Sequence, residues 1–184
     1  MRRRFARGGG RSIRRMMRSG IPPLLIRSNE LLAEGQFAEA AQGLEQLARA
    51  ADTRGGRHAA RLYLEAGRAR ILAAQSTAGV DLMNRGFELL AASRLPHRLP
   101  RSASRIIADL QERGFTQEAQ QITARLKTFA PDFTAVPPEP DPVRRPPLPT
   151  RCPGCGAAVR PDEVVWMGDT SAECEYCGSP IRGE

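Results

Sequence analysis

Apolar residues recur with helical spacing through most of the first 130 residues of the chain. In segment 37–51 they stand at positions 37, 40, 41, 44, 47, 48 and 51, which form one face of a helix. Pro22 and Pro23 suit the first turn of a helix that runs to about Glu34, and Gly35 and Gly114 suit helix ends. The pattern predicts five further helices, at about 37–51, 58–74, 77–93, 102–113 and 116–129.

The same periodicity predicts which side chains face inward in the middle two helices. Those expected in the core are Leu62, Ala66, Ala69 and Leu72, followed by Val80, Met83, Phe87 and Leu90. Pro96 and Pro100 interrupt the pattern before the fifth helix. We also expect Phe37 to fill the core of the first helical hairpin.

An internal repeat joins these helices in pairs. The segments "GQFAEA" (35–40), "AQSTAG" (74–79) and "GFTQEA" (114–119) each lie between the two helices of a pair. Their last residues, Ala40, Gly79 and Ala119, are spaced by 39 and 40 positions. Small side chains at these points allow two helices to approach closely.

Residues around the three joints follow a common order of large and small side chains. The matching positions are Gly35, Phe37, Ala40 and Leu47 in the first unit, Tyr63, Gly67 and Gly79 in the second, and Gly114, Ala119 and Leu126 in the third. This order resembles the tetratricopeptide repeat, which implies an array of helical hairpins over about residues 24–127 that presents a surface to another protein. The period differs from that family's length of about 34 residues, Ser28 and Ile107 fill the small position of the outer units, and Phe115 is shifted by one.

Proline dominates the segment that follows the helices. Residues 131–150 contain eight of the fifteen prolines of the chain, so this segment cannot continue a helix or enter a sheet. As an extended linker it would span on the order of 60 Å, and it could alternatively bind an aromatic groove. We therefore expect the parts on either side of it not to be rigidly docked.

All four cysteines lie beyond this segment, in two Cys-x-x-Cys-Gly sequences separated by eighteen residues. A spacing of two residues allows one tight turn to direct both thiolates at a single ion, and two such turns match tetrahedral zinc. The residues between them predict strands at about 157–167 and 171–174, with turns at 161–162 and 168–169. The segment resembles a zinc ribbon, with one structural Zn²⁺ held by Cys152, Cys155, Cys174 and Cys177.

Three other uses of the cysteines fit less well. A rubredoxin-like iron site usually has a longer spacer and more core aromatic residues than Trp166 and Tyr176. A redox dithiol needs only one such pair, in a helical setting, and a catalytic zinc needs an open coordination position. Trp166 is expected to pack within the ribbon, with an exposed anchor for a partner as the alternative.

The net charge of +8 is concentrated at one end of the chain. Eight of the 28 basic residues lie in residues 1–18, which contain no acid, so 20 basic and 20 acidic residues remain elsewhere. These eight, candidates for contact with nucleic acid or an anionic surface, are Arg2, Arg3, Arg4, Arg7, Arg11, Arg14, Arg15 and Arg18. We expect the arm to be disordered, although Ile13, Met16 and Met17 could form a short amphipathic turn on an anionic surface.

Together these patterns predict a mainly α protein with a small β ribbon at its C-terminal end. The domains expected are a basic arm (1–20), a tetratricopeptide-like helical domain (21–130), a Pro-rich linker (131–150) and a zinc ribbon (151–184). No apolar segment approaches the roughly 20 residues of a membrane span, and none suits a secretory signal. The cysteine usage favours a reducing compartment, so we expect a cytoplasmic protein.

No residue set in the sequence suggests catalysis. His58 and His97 stand apart from any nucleophile, and the Gly8–Gly10 run lacks the Lys-Ser/Thr ending of a phosphate-binding loop. We therefore expect a non-enzymatic adaptor or assembly subunit that binds protein through its helices and possibly its ribbon. The alternative is a nucleic-acid- or ribosome-associated factor that uses the arm, and a third hypothesis is peripheral binding of the arm to anionic lipid.

Overall fold

The computed structural model describes residues 20–56, 58–93, 98–134, 145–161 and 164–183. Its helices are α1 (Pro23–Ala33), α2 (Phe37–Asp52), α3 (Ala59–Leu72), α4 (Ser76–Ala91), α5 (Arg98–Glu112) and α6 (Thr116–Phe129). Its strands are β1 (Val165–Trp166), β2 (Ser171–Glu173) and β3 (Pro180–Arg182), in one antiparallel sheet of that order. The prediction of a mainly helical chain with a small C-terminal sheet is thus confirmed.

Each helix packs against the next along the chain, and α4 also packs against α6. Two apolar clusters hold the array together. The first contains residues of α3 to α6, with Phe87, Met83, Leu110, Ile122 and Leu126 fully buried. The second contains residues of α1, α2 and α3 together with residues of the ribbon.

The three predicted joints adopt one backbone conformation. Gly35, Ala74 and Gly114 all have a left-handed backbone, with φ of 77°, 59° and 86°. In each joint the next residue donates its N–H to a carbonyl five positions earlier, at 2.9, 2.9 and 2.8 Å, and so satisfies a free carbonyl at the end of the helix. The three joints therefore share one helix-ending geometry.

Most of the residues predicted to face inward are buried, and Leu72 and Leu90 are half-buried. The expectation for Phe37 was wrong, because its side chain is only half-buried while Leu44 and Ala48 of the same helix are fully buried. Helix α5 also begins earlier than predicted. Pro100 lies in its first turn, where the missing N–H costs no helical hydrogen bond.

The ribbon and the helices form one packed body, contrary to the expectation that they would not be docked. Ile21 and Leu25 share an apolar cluster with Cys155 and Ile181 of the ribbon. The end of the Pro-rich segment belongs to the same assembly. Pro146 lies so close to Gly183 that a Cβ on that glycine would be 2.5 Å from its Cγ atom.

Candidate metal centre

Each Cys-x-x-Cys sequence forms a tight turn closed by the glycine that follows it. Gly156 and Gly178 have φ of 76° and 71°, a conformation that residues with a Cβ rarely adopt. The N–H of each glycine donates to the carbonyl oxygen of the first cysteine of its turn, at 2.9 Å for Cys152 and 2.8 Å for Cys174. We call these two turns, residues 152–156 and 174–178, the first and second knuckle.

The two knuckles bring four sulfur atoms together. The Sγ atoms of Cys152 and Cys177 are 3.8 Å apart, as are those of Cys155 and Cys174, and all four lie within 4.8 Å of one another. A tetrahedron with about 2.3 Å from a central zinc to each sulfur has edges of about 3.8 Å. The four cysteines, none of which forms a disulfide in the described ribbon, can therefore hold a metal ion.

The sulfur cluster is shielded from solvent. Cys152, Cys155 and Cys174 are buried, and Cys177 is half-buried with its Sγ 3.3 Å from Ser179 Oγ. Hydrogen bonding among the thiols, led by the one with Cys155, lowers the pKa of Cys152 to about 7. The pKa of Cys177 is lowered mainly by its contact with Cys152. The contact with Cys152 raises the pKa of Cys155 and that of Cys174, so without an ion the cluster holds protons on part of its sulfurs. A bound cation would compensate the charge of four thiolates in this buried setting.

The sheet determines where the second knuckle begins. Ala172 of β2 pairs with Ile181 of β3, and both side chains are fully buried. Two residues after Ala172 the chain reaches Cys174, so the strand fixes where the knuckle begins. The third strand was missed in the sequence, because only three residues pair there and the period of two is too short to detect.

Trp166 is half-buried and belongs to neither described apolar cluster, so its packing role in the ribbon stays a prediction. Its indole N–H donates to the carbonyl oxygen of Pro161 at 3.1 Å, and the guanidinium of Arg145 lies 4.7 Å from its ring centroid. The neighbouring Val165 and Met167 point the other way and are 38% and 59% exposed. The end of the Pro-rich segment thus covers one face of the tryptophan.

The first knuckle contacts helix α1. The side-chain amide of Asn29 donates a hydrogen bond of 2.9 Å to the carbonyl oxygen of Cys155. Asn29 is 4% exposed, so this contact lies inside the assembly. A Cβ on Gly154 would lie 2.8 Å from Ile21 Cδ1, so the knuckle approaches Ile21 as closely as a residue without a side chain allows.

The second knuckle contacts helix α3 and the residue before it. His58 Nδ1 lies 2.6 Å from the carbonyl oxygen of Glu175, so it carries the proton and donates. The Arg61 guanidinium donates to the hydroxyl oxygen of Tyr176 at 3.0 Å, and that hydroxyl donates to Glu65 at 3.2 Å. Arg61 is 8% exposed and also lies 3.7 Å from the Glu175 carboxylate.

Sequence reasoning placed the four cysteines correctly but missed the helical residues that contact them. His58, interpreted as an isolated surface residue, lies half-buried between the helices and the ribbon. Arg61 offered one signal, because it interrupts the apolar residues of a helix that is buried on most sides. The arginines of the arm and His97 lie outside the described residues.

Hydropathy and likeness to known proteins place few constraints on the function. No helix in the described ranges combines the length and the apolar composition that crossing a membrane requires. Comparison of the chain with protein-family models, with curated proteins and with solved structures gives no match.

Proposed function

We propose that the chain is a non-enzymatic adaptor or assembly subunit, in which one structural zinc ion holds the ribbon and tetratricopeptide-like hairpins present a surface to a protein partner. The observation that carries the proposal is the set of four sulfurs at tetrahedral separations. Four thiolates fill the coordination shell of zinc, so no position remains for a water or a substrate. The ion would then act on folding rather than on chemistry.

Metal binding would supply most of the folding free energy of the ribbon. Strands of two and three residues bury too little apolar surface for a stable fold, whereas structural zinc contributes on the order of 10 kcal/mol. Elemental analysis of protein purified without added metal should give one zinc per chain. The matched control is Cys155→Ser, which should lose the metal, and iron with a visible charge-transfer band would contradict zinc.

The helical array supports the adaptor role. The solvent side of α2 forms an open depression together with Arg70 of α3, where Glu45 accepts from Arg70 Nη2 at 2.8 Å. The residues along it are Gln42, Glu45, Gln46, Arg49, Ala50, Thr53 and Arg70. Its paired charges and amides suit the polar rim of a protein interface better than the interior of a small-molecule pocket. Because the metal needs reduced thiols, we place this function in the cytoplasm.

The alternative function, binding of nucleic acid through the arm, rests on the arginine excess in residues 1–18. The two functions can be distinguished by measuring duplex DNA binding of the full chain and of a chain that lacks these residues. The adaptor proposal expects weak, sequence-independent binding that disappears with the arm. With about five phosphates engaged, the slope of log affinity against log salt would be about −4.5. Sequence-selective binding by the truncated chain would contradict the adaptor role.

A further inference from the structure

We propose that metal binding keeps the ribbon docked on α1 and α3. Loss of the metal would then release the ribbon and expose an apolar surface of the helical array. This inference rests on the metal binding proposed above. It goes further because it couples the ion to helices that contribute none of the four cysteines.

The first argument is where the helices touch the ribbon. Asn29 donates to the carbonyl oxygen of Cys155, and His58 to that of Glu175. Both acceptors belong to the backbone of the knuckles, one at a metal-ligating residue and the other next to one. Within each knuckle the loop is closed by one backbone hydrogen bond, from the glycine to the first cysteine, and a shared ion would add the bonds that join the two knuckles to each other. The hydrogen bonds that dock the helices onto the knuckles should therefore depend on whether the metal is bound.

The second argument is what the ribbon covers. Ile21, Leu25, Leu62 and Ala66 of the helical array are all at most 7% exposed, and they share one cluster with buried residues of the ribbon. Undocking would expose part of this cluster. The ribbon is thus the occupant of an apolar face of the array, supplied by the same chain.

The third argument is that the contact can open without unfolding the whole array. A cavity of about 150 Å³ remains between the two parts, bordered by Arg61, Leu64, Val165 and Glu173 among others. Part of the interface is therefore open to solvent, and hydrogen bonds hold it in part, as in domain contacts that separate. The cluster centred on Phe87 and Leu110 lies in α3 to α6 and includes no residue of the ribbon.

Thermodynamic linkage predicts the size of the change in metal affinity. If the metal strengthens docking by some factor, docking must strengthen metal binding by the same factor. Residues that hold metal ligands in place from outside the coordination shell usually change metal affinity about 10–100-fold. Asn29 has that role here, as a positioning residue that acts through Cys155.

The first experiment measures zinc affinity in the full chain by competition with a chromophoric chelator. Asn29→Leu removes the amide donor, and we expect zinc to bind about 10–100-fold more weakly. The matched control is Asn84→Leu, the same change in α4, where the buried Oδ1 of Asn84 has no hydrogen-bond partner among the described residues. Its zinc affinity should stay within about twofold. An Asn29→Leu affinity within that range as well would overturn the proposal.

Tyr176→Phe provides a second variant in case Asn29→Leu does not fold. It keeps the ring under Arg61 and removes only the hydroxyl that joins Arg61 to Glu65. We expect several-fold weaker zinc binding with helical circular dichroism unchanged. An unchanged affinity in this variant also counts against the coupling.

The second experiment follows amide hydrogen exchange of the full chain with zinc, after its removal and after its return. We expect amides of α1 and of the first half of α3 to exchange at least tenfold faster without zinc, those of α6 to stay protected, and zinc to restore the difference. Protection of α1 that survives zinc removal would overturn the proposal, as would equal loss in α6. Absence of bound metal in the purified chain would instead refute the proposed function, which elemental analysis reports separately.

Discussion

Gly67 and Gly79 face each other where α3 packs against α4, and each occupies space that a side chain on the other would need. A Cβ on Gly67 would lie 2.6 Å from the carbonyl oxygen of Gly79, and a Cβ on Gly79 would lie 2.7 Å from that of Gly67. Backbone atoms of two packed helices cannot move aside at low cost, so the central hairpin depends on both glycines.

We expect Gly67→Ala and Gly79→Ala each to lower the free energy of unfolding by about 1–3 kcal/mol, although alanine is the better helix former. Urea unfolding followed by circular dichroism would measure this. Gly168→Ala is the control, because its Cβ would lie 3.8 Å from the nearest atom, and it should change stability little. A gain in stability for Gly67→Ala or Gly79→Ala would show that the two helices can shift apart enough to accommodate a methyl group.

The left-handed residue of the central joint is an alanine, whereas the outer joints have glycine. Because an L-residue pays about 1–2 kcal/mol in this conformation, Ala74→Gly should raise the free energy of unfolding by up to about 1 kcal/mol after the entropy cost of glycine. The reverse changes, Gly35→Ala and Gly114→Ala, should lower it by about 1 kcal/mol.

No atom of the described residues lies within 4 Å of a Cβ built at either glycine, so the two reverse variants report backbone strain without steric overlap. Thermal unfolding of the three variants beside the parent chain gives the comparison. If Ala74→Gly destabilises the chain, the left-handed conformation at Ala74 is incorrect.

An ion pair links the second hairpin to the third. Arg68 donates to Asp109 Oδ2 at 2.8 Å, and Arg113 donates to Oδ1 at 3.0 Å. Burial by itself would raise the pKa of Asp109, but the hydrogen bond from Arg113 and the charge of Arg68 lower it below its ordinary value of 3.8. The stability that this carboxylate contributes is therefore complete above pH 3.8 and is lost as pH falls through the lower folded-state pKa.

Asp109→Asn should lower the free energy of unfolding by about 1 kcal/mol at neutral pH and weaken its dependence on pH below about 4. Urea titrations at pH 7 and at pH 3 would check both effects. Glu30→Gln is the control, since its pair with Arg27 is 3.5 Å long with both side chains 55% exposed. Equal effects of the two substitutions would show that the pair between hairpins contributes nothing specific.

Two phenylalanines test where the core lies. Phe87 is fully buried in the cluster of α3 to α6, so Phe87→Ala should cost about 3–5 kcal/mol. Phe37 is half-buried, so Phe37→Ala should cost clearly less, about 1–2 kcal/mol. Urea midpoints of the two variants give the order, and a larger loss at Phe37 would place the core nearer the first joint.

The hairpins could be predicted because their determinants are local. A glycine or a small residue near each joint marks where one helix ends, and apolar periodicity marks the face of the next. The four candidate metal ligands could be predicted as well, since the distance between the two cysteines of a pair is set by the turn that joins them. In each case the residues that interact are neighbours in the sequence.

Docking could not be predicted for the opposite reason. Asn29 and Cys155 are 126 positions apart, and the contact pairs a side-chain amide with a backbone carbonyl that any residue could supply. Burial of Arg61 likewise depends on Tyr176 and Glu175, which lie beyond the proline-rich segment. Composition suggested a spacer there, and it did not reveal that Arg145 and Pro146 pack against the ribbon.

The return of the chain to the ribbon at Arg145 limits how far the ribbon could travel. Ten residues separate Thr134 from Arg145, and the eleven steps between their Cα atoms span at most about 40 Å. A tether this short holds the ribbon near its dock at an effective concentration on the order of millimolar. A partner at about micromolar concentration would need roughly thousandfold higher intrinsic affinity to displace it. The tethered ribbon would therefore outcompete an external partner of equal affinity for that face of the helical array.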